Sequence, residues 1–218
     1  MCAARTAEQE RLLTGYRRFR SGRYKEAAEL YRQLGASQDP DIMIIACADS
    51  RADPALIFDA APGEFFVVRN VAALVPPYDE SGGYHGVSAA VEFAVTALKV
   101  KQILVMGHAN CGGVKASLSA AKDKPVGRFI APWVEIADEA RDKVLACADH
   151  DTSDKRQLAL EHGVVGQSIQ NLMTFPFVKQ AVDAEQLMIE GAWFSIAEGK
   201  LLWRNWGSGD FFEVDPNA

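Results

Sequence analysis

Short, uninterrupted apolar runs are the sequence feature that most constrains the fold of this chain. They occupy 42–46 (IMIIA), 65–68 (FFVV), 103–106 (ILVM) and 187–189 (LMI). A strand that is covered on both faces needs apolar side chains at every position and not only at alternate positions. Helical patterns separate the runs, such as GVSAAVEFAVTAL at 86–98. This alternation predicts an α/β fold, with a mainly parallel central β-sheet flanked by helices.

The two ends of the chain depart from this alternation. Residues 6–34 have apolar positions at helical spacing and are interrupted by a Ser-Gly pair at 21–22, which predicts two amphipathic helices. The tail AWFSIAEGKLLWR predicts a hairpin that turns around Glu198 and Gly199 and lies at one edge of the sheet.

The length and the apolar content of the chain suit one core. With 218 residues, 49% of them hydrophobic, and no linker-like stretch, we predict a single domain over 1–218. Within it, residues 1–37 form a helical arm and residues 38–218 form the α/β core.

Charge, span length and targeting signals limit the partners and the location expected for this chain. The formal charge of -6 argues against a protein built to bind nucleic acid or an anionic membrane surface, so a small-molecule partner is expected. The apolar run at 42–48 is far shorter than the ~20 residues that a membrane span needs. The start of the chain has no apolar signal segment and carries Glu8 and Glu10, so we expect a cytoplasmic location.

The tripeptide Cys-Ala-Asp occurs twice, at Cys47 and at Cys147. Ligands gather beyond the carboxyl ends of parallel strands, and Cys47 directly follows one predicted strand. Cys147 instead lies in a charged helical pattern, where a small apolar residue on the buried face is the simplest interpretation. Cys2 stands near the chain start and is uninformative, and His150 and His162 have no cysteine at ligand spacing, so they are expected at the surface or in the core.

A second strand end carries a histidine and a cysteine. His108 follows QILVMG and Cys111 comes three residues later, within the glycine-rich stretch GHANCGG that precedes the helical pattern VKASLSAA. An imidazole and a thiolate at a helix entry can turn toward one ion, and the glycines let the backbone approach it. Cys47, His108 and Cys111 together form a Cys2His set, which is the protein-ligand count of a catalytic zinc site.

Each half of this set is weak by itself. The stretch CADSR could be a turn with a buried thiol, and the His-x-x-Cys spacing could arise by chance. Their joint position at strand ends of one α/β sheet makes the metal site the stronger interpretation.

In its motifs the sequence resembles the β-class carbonic anhydrases, over roughly residues 38–118. The matching stretches are CADSR (47–51), PGEFFVVRN (62–70), VPPY (75–78), GVSAAVEFAV (86–95), LKV (98–100) and GHANCGG (107–113).

The resemblance implies one zinc ion per subunit, held by Cys47, His108 and Cys111, with Asp49 and Arg51 as a catalytic pair beside the open position. It implies reversible hydration of carbon dioxide to bicarbonate and a proton, by attack of zinc-bound hydroxide. Asp49 would accept the remaining proton of that hydroxide in a hydrogen bond, and Arg51 would hold Asp49 ionised.

The resemblance also implies a substrate pocket at a dimer interface, with the helical arm wrapping the partner in a homodimer or a dimer-based higher oligomer. The residues implied for carbon dioxide and bicarbonate are Gln38, Phe66, Val71, Phe93 and Gly112. An apolar wall suits carbon dioxide, and Gln38 could donate a hydrogen bond to bicarbonate.

Two departures from the family pattern bear on this picture. Phe93 stands where the plant-type pattern has tyrosine, which keeps the shape of the pocket and removes one polar contact. An inhibitory bicarbonate pocket of some bacterial relatives corresponds here to Ile44, Arg69 and Phe194, so only its arginine remains. We therefore expect an open site, with Asp49 bound to Arg51 and not to zinc.

Other interpretations stay open at this stage. A related zinc hydrolase acting on carbon disulfide or carbonyl sulfide would need the same ligands, and a non-catalytic zinc or redox-sensing protein would use the same cysteines. His85 is either a proton shuttle or an ordinary loop histidine. The sequence gives neither the turnover rate, nor the pathway served, nor the assembly beyond a dimer.

Overall fold

The computed structural model describes residues 5–81, 83–122, 124 and 126–217 of the chain. It divides into two compact units, one up to Asp39 and one from Pro40 onward. Cys2 lies outside the described residues.

The N-terminal unit contains three helices where the sequence predicts two. They are α1 (Ala7–Ser21), α2 (Arg23–Glu26) and α3 (Ala28–Leu34). The predicted break occurs at Gly22, whose φ of -105° and ψ of -101° are not helical. The second break, at Ala27, has φ -104° and ψ 25°, and no glycine or proline marks it in the sequence.

The second unit contains a six-stranded sheet in its described residues. The strands lie in the order β2-β1-β3-β4-β5-β6. The first four strands in this order run parallel to one another, and the last two are added antiparallel. The predicted α/β class and the mainly parallel sheet are confirmed. The strands are β1 (Ile42–Cys47), β2 (Phe65–Asn70), β3 (Gln102–His108), β4 (Met188–Ser195), β5 (Lys200–Arg204) and β6 (Phe211–Glu213).

The central strands are covered on both faces, as their continuous apolar runs predict. Along β1, Met43 and Ile45 face one hydrophobic cluster, whereas Ile44 and Ala46 face another. All four side chains are at most 1% exposed. Alternate side chains of β1 therefore pack into two separate hydrophobic clusters, one on each face of the sheet.

The C-terminal end of the sheet differs from the prediction in two ways. The run at 187–189 and the first arm of the predicted hairpin form one continuous strand, β4, because the chain stays paired with β3 along its length. The hairpin from β4 to β5 is present, but β6 pairs with β5 and is the edge strand.

Helices and short turns connect the strands. The predicted helix at 86–98 is α5 continued by a π-helix at Phe93–Leu98, and no described helix is both long and apolar enough to cross a bilayer. The α-helices are α4 (Pro54–Ile57), α5 (Gly86–Glu92), α6 (Gly112–Ala120), α7 (Ile130–Val134), α8 (Asp138–Ala146), α9 (Ser153–Leu172) and α10 (Pro176–Asp183), with 3-10 turns at Val71–Ala73 and Glu135–Ala137.

The sequence pattern predicts that Cys147 lies on the buried face of a helix, and this prediction is wrong. Helix α8 ends at Ala146, and Cys147 is extended and half-buried. Two contacts of His150 hold the chain just after the helix. Its backbone N–H donates to the carbonyl oxygen of Cys147. Its ring lies 3.2 Å from the carbonyl oxygen of Val144 in the last turn. His150 thus caps the end of α8.

His162 is largely buried on α9, between aromatic rings. Its ring stacks on Phe211, with a centroid distance of 4.1 Å, and meets Trp193 edge-on at 5.2 Å. Burial lowers the pKa of His162 from its ordinary 6.5 to about 4. In the folded chain the imidazole is therefore neutral at pH values where the unfolded chain would protonate it.

We predict that the free energy of unfolding decreases as pH falls from about 6.5 to about 4, because only the unfolded state binds the His162 proton in this window. The loss should reach about 2 kcal/mol near pH 4.5. Urea unfolding of the parent and of His162→Phe, which keeps the stacked ring without a proton site, measures it. A parent and a variant with the same pH dependence would contradict this assignment.

Candidate metal centre

Two neighbouring strands and the turn that follows one of them bring the three predicted metal ligands to one edge of the sheet. Cys47 is the last residue of β1 and His108 is the last residue of β3. These strands are parallel and directly paired, so their carboxyl ends meet. Cys111 follows three residues later, as the extended residue before α6.

The donor atoms of these residues converge. The candidate ligand atoms of Cys47, His108 and Cys111 all lie within 4.8 Å of one another. The two sulfur atoms are 3.9 Å apart, and all three residues are buried. Within the described part of the chain, this is the one group of three or more such side chains with a geometry that could hold a metal ion.

Hydrogen bonding fixes the form of His108 that a metal needs. Its Nδ1 lies 2.9 Å from the carbonyl oxygen of Ala109, and a carbonyl can only accept, so Nδ1 carries the proton. The lone pair is then on Nε2, which is buried without a hydrogen-bond partner in the described structure. A backbone carbonyl behind the ring is the usual support of a ligating histidine.

The two thiols share their protons. The hydrogen bond between the sulfurs lowers the pKa of Cys47, with a further contribution from His108 and against the effect of burial. The same hydrogen bond raises the pKa of Cys111, and burial adds to this. Burial disfavours protonation of His108, but the nearby Cys47 sulfur and the Ala109 carbonyl outweigh it and raise its pKa. The contact between the sulfurs thus favours the thiolate of Cys47 and disfavours that of Cys111.

Asp49 and Arg51 form a bidentate ion pair beside the three ligands. The Arg51 Nε donates to Asp49 Oδ1 at 2.9 Å, and a terminal nitrogen of the guanidinium donates to Oδ2 at 2.8 Å. The backbone N–H of Arg51 also donates to Oδ1. These hydrogen bonds hold the pKa of Asp49 well below its usual range. Asp49 Oδ2 lies 3.9 Å from His108 Nε2.

Arg69 ties down the loop that carries Asp49. Its guanidinium donates to the carbonyl oxygens of Cys47 and Asp49 and to the Asp53 carboxylate. The sequence singles out Arg69 only as the remainder of an inhibitory pocket. Of that pocket, Ile44 is fully buried in the sheet. Asp49 pairs with Arg51, and the choice of Asp49 between Arg51 and zinc stays a prediction.

The predicted pocket residues fall into separate groups. Val71 packs in the same apolar cluster as Cys47 and Cys111, and Gly112 directly follows Cys111 as an exposed first residue of α6. Phe66 and Phe93 contact each other, with ring centroids 5.8 Å apart, and Phe93 is 46% exposed.

Two further candidates lie outside the ligand cluster. Gln38 is exposed and belongs to the N-terminal unit, so its part in substrate binding stays a prediction. His85 is an exposed residue directly before α5. Whether it is a proton shuttle or an ordinary loop histidine also stays open.

Sequence reasoning missed the side chains of α9 that contact the ligand loop. Glu161 is 3% exposed and accepts a hydrogen bond from the backbone N–H of Cys111. A signal was present, because Glu161 shares helical spacing with Val164, Val165 and Ser168, all of them buried. A charged residue on the buried face of a helix needs a polar partner.

Known proteins share this fold and these motifs. A family model described as carbonic anhydrase matches residues 42–201. Beta carbonic anhydrase 3 of Arabidopsis thaliana is 37% identical over 199 residues, which are 89% of this chain and 76% of that protein. The chain belongs to the β-carbonic anhydrase family.

Solved structures of β-carbonic anhydrases agree with this membership. The structure of CcaA matches with a TM-score of 0.90 and 30% identity, over 96% of this chain and 93% of that one. The Coccomyxa enzyme, solved in complex with acetazolamide, matches with a TM-score of 0.78 and 32% identity, over 90% of this chain and 86% of that one. As a member, this chain is a carbonic anhydrase.

The start of α6 depends on a glycine. The helix begins at Gly112, earlier than the predicted start after the glycines. A Cβ atom on Gly113 would lie 2.6 Å from Val71 Cγ1 and 2.8 Å from the Cβ of Ala72. The Ala72 Cβ cannot move away without its backbone, whereas a Cβ on Gly112 would meet nothing within 4 Å.

We predict that Gly113→Ala lowers the free energy of unfolding by about 1–3 kcal/mol, because it overpacks this contact. Gly112→Ala is the matched control and should change stability by no more than about 0.5 kcal/mol. Urea unfolding of both variants measures the difference. Equal stability of the two would show that the close contact at Gly113 is unimportant.

Proposed function

We propose that this carbonic anhydrase catalyses the reversible hydration of carbon dioxide to bicarbonate and a proton, with one zinc ion per chain. The observation that carries the proposal is the convergence of two thiols and a correctly protonated imidazole at one sheet edge, with the Asp49–Arg51 pair beside them. Family membership supports the same activity.

The donor set fits zinc and leaves room for substrate. Two cysteines and one histidine are a ligand set of catalytic zinc sites, which keep a fourth position for water or substrate. His108 would bind through Nε2, the buried atom without a hydrogen-bond partner in the described structure. When bound, zinc acts as a Lewis acid and lowers the pKa of water to about 7.

Asp49 is arranged to orient the attacking water through Oδ2. Its Oδ1 already accepts two hydrogen bonds from Arg51, whereas Oδ2 accepts one and has a lone pair left. Oδ2 is also the oxygen that faces His108 Nε2. An ionised carboxylate can only accept, so Oδ2 would accept an O–H of the water and aim an oxygen lone pair at the substrate carbon.

Arg51 keeps Asp49 in this role. The bidentate pair fixes the plane of the carboxylate and holds it ionised, which leaves the proton of the reaction to depart to solvent or buffer. A lysine at this position would provide a point charge without the fork geometry.

We further propose that Val71 and Gly112 contribute to the carbon dioxide pocket. Val71 provides an apolar wall in the cluster that contains Cys47 and Cys111. Gly112 leaves open space beside the ligand loop, because a Cβ there would meet no neighbour. Phe66, Phe93 and Gln38 would complete the pocket in an assembled oligomer.

The proposed assembly is dimer-based. Leu12 on α1 is 75% exposed and Phe93 is 46% exposed, and burial of either side chain by another copy would remove apolar surface from water. Relatives from Sordaria macrospora are described as tetrameric. Sedimentation velocity of the purified chain tests the proposal, and a monomer at micromolar concentration would contradict it.

We predict that Asp49→Asn lowers kcat for carbon dioxide hydration at least about 100-fold while keeping zinc, because the amide cannot replace an ionised acceptor held by Arg51. Cys47→Ser should lose most of both zinc and activity. Stopped-flow hydration assays beside metal analysis measure these effects. Asp183→Asn, which breaks an exposed ion pair with Lys179 on α10, is the matched control.

Each alternative function has its own outcome in these assays. Sulfide release from carbon disulfide or carbonyl sulfide, with no carbon dioxide hydration, would indicate the related hydrolase. Zinc-loaded parent protein without turnover on any of these substrates would indicate a binding or redox-sensing protein. Full activity of both Asp49→Asn and Cys47→Ser would refute the proposed site.

A further inference from the structure

Glu161 is a buried charged residue that the reaction above does not use. It lies on α9, and its carboxylate accepts three hydrogen bonds from the described residues. Oε1 accepts from the Cys111 backbone N–H at 3.0 Å and from Gln157 Nε2 at 2.7 Å, and Oε2 accepts from Trp193 Nε1 at 3.1 Å. All three partners are donors, which suits an ionised carboxylate.

Gln157, one turn earlier on α9, contacts the same ligand residue. Its Nε2 donates to the carbonyl oxygen of Cys111 at 3.0 Å as well as to Glu161. Both backbone polar groups of Cys111 are therefore bonded to side chains of one helix. No side chain caps the start of α6, so α9 supplies the hydrogen bonds that fix this turn.

Helix α9 is itself seated tightly on the sheet. A Cβ on Gly107 of β3 would lie 2.9 Å from Val165 Cγ2, and a Cβ on Gly191 of β4 would lie 2.8 Å from Val165 Cγ1. These glycines let α9 approach the strand that ends in His108. Close packing therefore anchors α9 to the sheet, independently of the ligand loop that it contacts.

We propose that Glu161 is a positioning residue for the metal centre, acting with Gln157. By holding the backbone of Cys111 against α9, it sets the distance of the Cys111 sulfur from Cys47 and His108, and so controls how firmly the metal is retained. The inference rests on the proposed function, in which these three residues hold zinc. Glu161 is not one of the three residues that would hold the metal, so its effect passes through Cys111.

The geometry shows why glutamine cannot replace Glu161. With its oxygen toward Cys111 and Gln157, the amide would point its N–H groups at the indole N–H of Trp193. With the amide flipped, the N–H groups would face the Cys111 N–H. The first orientation leaves the Trp193 N–H without an acceptor and repels the amide, and the second leaves the N–H groups of Cys111 and Gln157 without one. The hydrogen bond that holds the ligand turn is therefore weakened or lost.

The test compares zinc release from Glu161→Gln and from Glu190→Gln. Glu190 on β4 is the matched control, because its carboxylate also accepts from an indole, Trp203 Nε1 at 2.9 Å, and it has no hydrogen bond to Cys111. Zinc-loaded proteins are mixed with a chelating dye, and the thiolate-to-metal absorption of cobalt-substituted protein is recorded. We expect Glu161→Gln to release zinc at least about 10-fold faster and to shift the cobalt band, while Glu190→Gln matches the parent.

A double variant separates positioning from a general loss of stability. Adding Trp193→Phe to Glu161→Gln removes the donor that the amide would face, so the Cys111 hydrogen bond can reform and release should return to the rate of Trp193→Phe alone. Gln157→Leu is a second single variant for use if Glu161→Gln does not fold, and it should also speed release. Parent-like release and cobalt spectra in Glu161→Gln or Gln157→Leu, or no recovery in the double variant, would overturn the proposal. Failure of the proposed function would instead show as parent protein that binds no zinc.

Discussion

The candidate metal centre depends on one constraint of the sheet, the parallel pairing of β1 with β3. Because these strands run in the same direction and in register, their last residues, Cys47 and His108, reach the same edge. The third ligand needs only a short turn, since Cys111 follows His108 by three residues. The chain thus builds its site from two strand ends and one turn, and the apolar strands fix that frame through burial on both faces.

Hydrogen bonds to neighbouring groups then give each ligand its chemical form. The Ala109 carbonyl leaves the lone pair of His108 on Nε2, and a hydrogen bond joins the two cysteine sulfurs. Arg69 and Arg51 act on the other side of the site. Arg69 bonds the backbone of the 47–53 loop, while Arg51 bonds the Asp49 carboxylate. Some of these contacts are local, such as Asp49 with Arg51, whereas Arg69 reaches the loop from the neighbouring strand β2.

The sequence predicts the frame and the meeting of Cys47, His108 and Cys111 because both leave local signals. Uninterrupted apolar runs mark strands buried on both faces, and the ligands stand at the ends of two such runs. Helical spacing marks Glu161 as a core-facing charge, but it does not show that the partner is Cys111, which lies 50 residues away and meets Glu161 only after α9 packs on β3. The end of α8 before Cys147 was missed for a similar reason, since the cap comes from His150 in the next loop. The break at Ala27 carries no glycine or proline, and β6 is too short to show an alternating pattern.

X-ray absorption spectroscopy of the zinc-loaded protein tests the central claim most directly, since it reports the ligand atoms and their distances. Ligation by Cys47, His108 and Cys111 predicts two sulfur ligands near ~2.3 Å, one imidazole nitrogen near ~2.0–2.1 Å, and one further light-atom ligand. Cys47→Ser should remove one of the two sulfurs. A zinc shell without sulfur, or one unchanged by Cys47→Ser, would contradict the site.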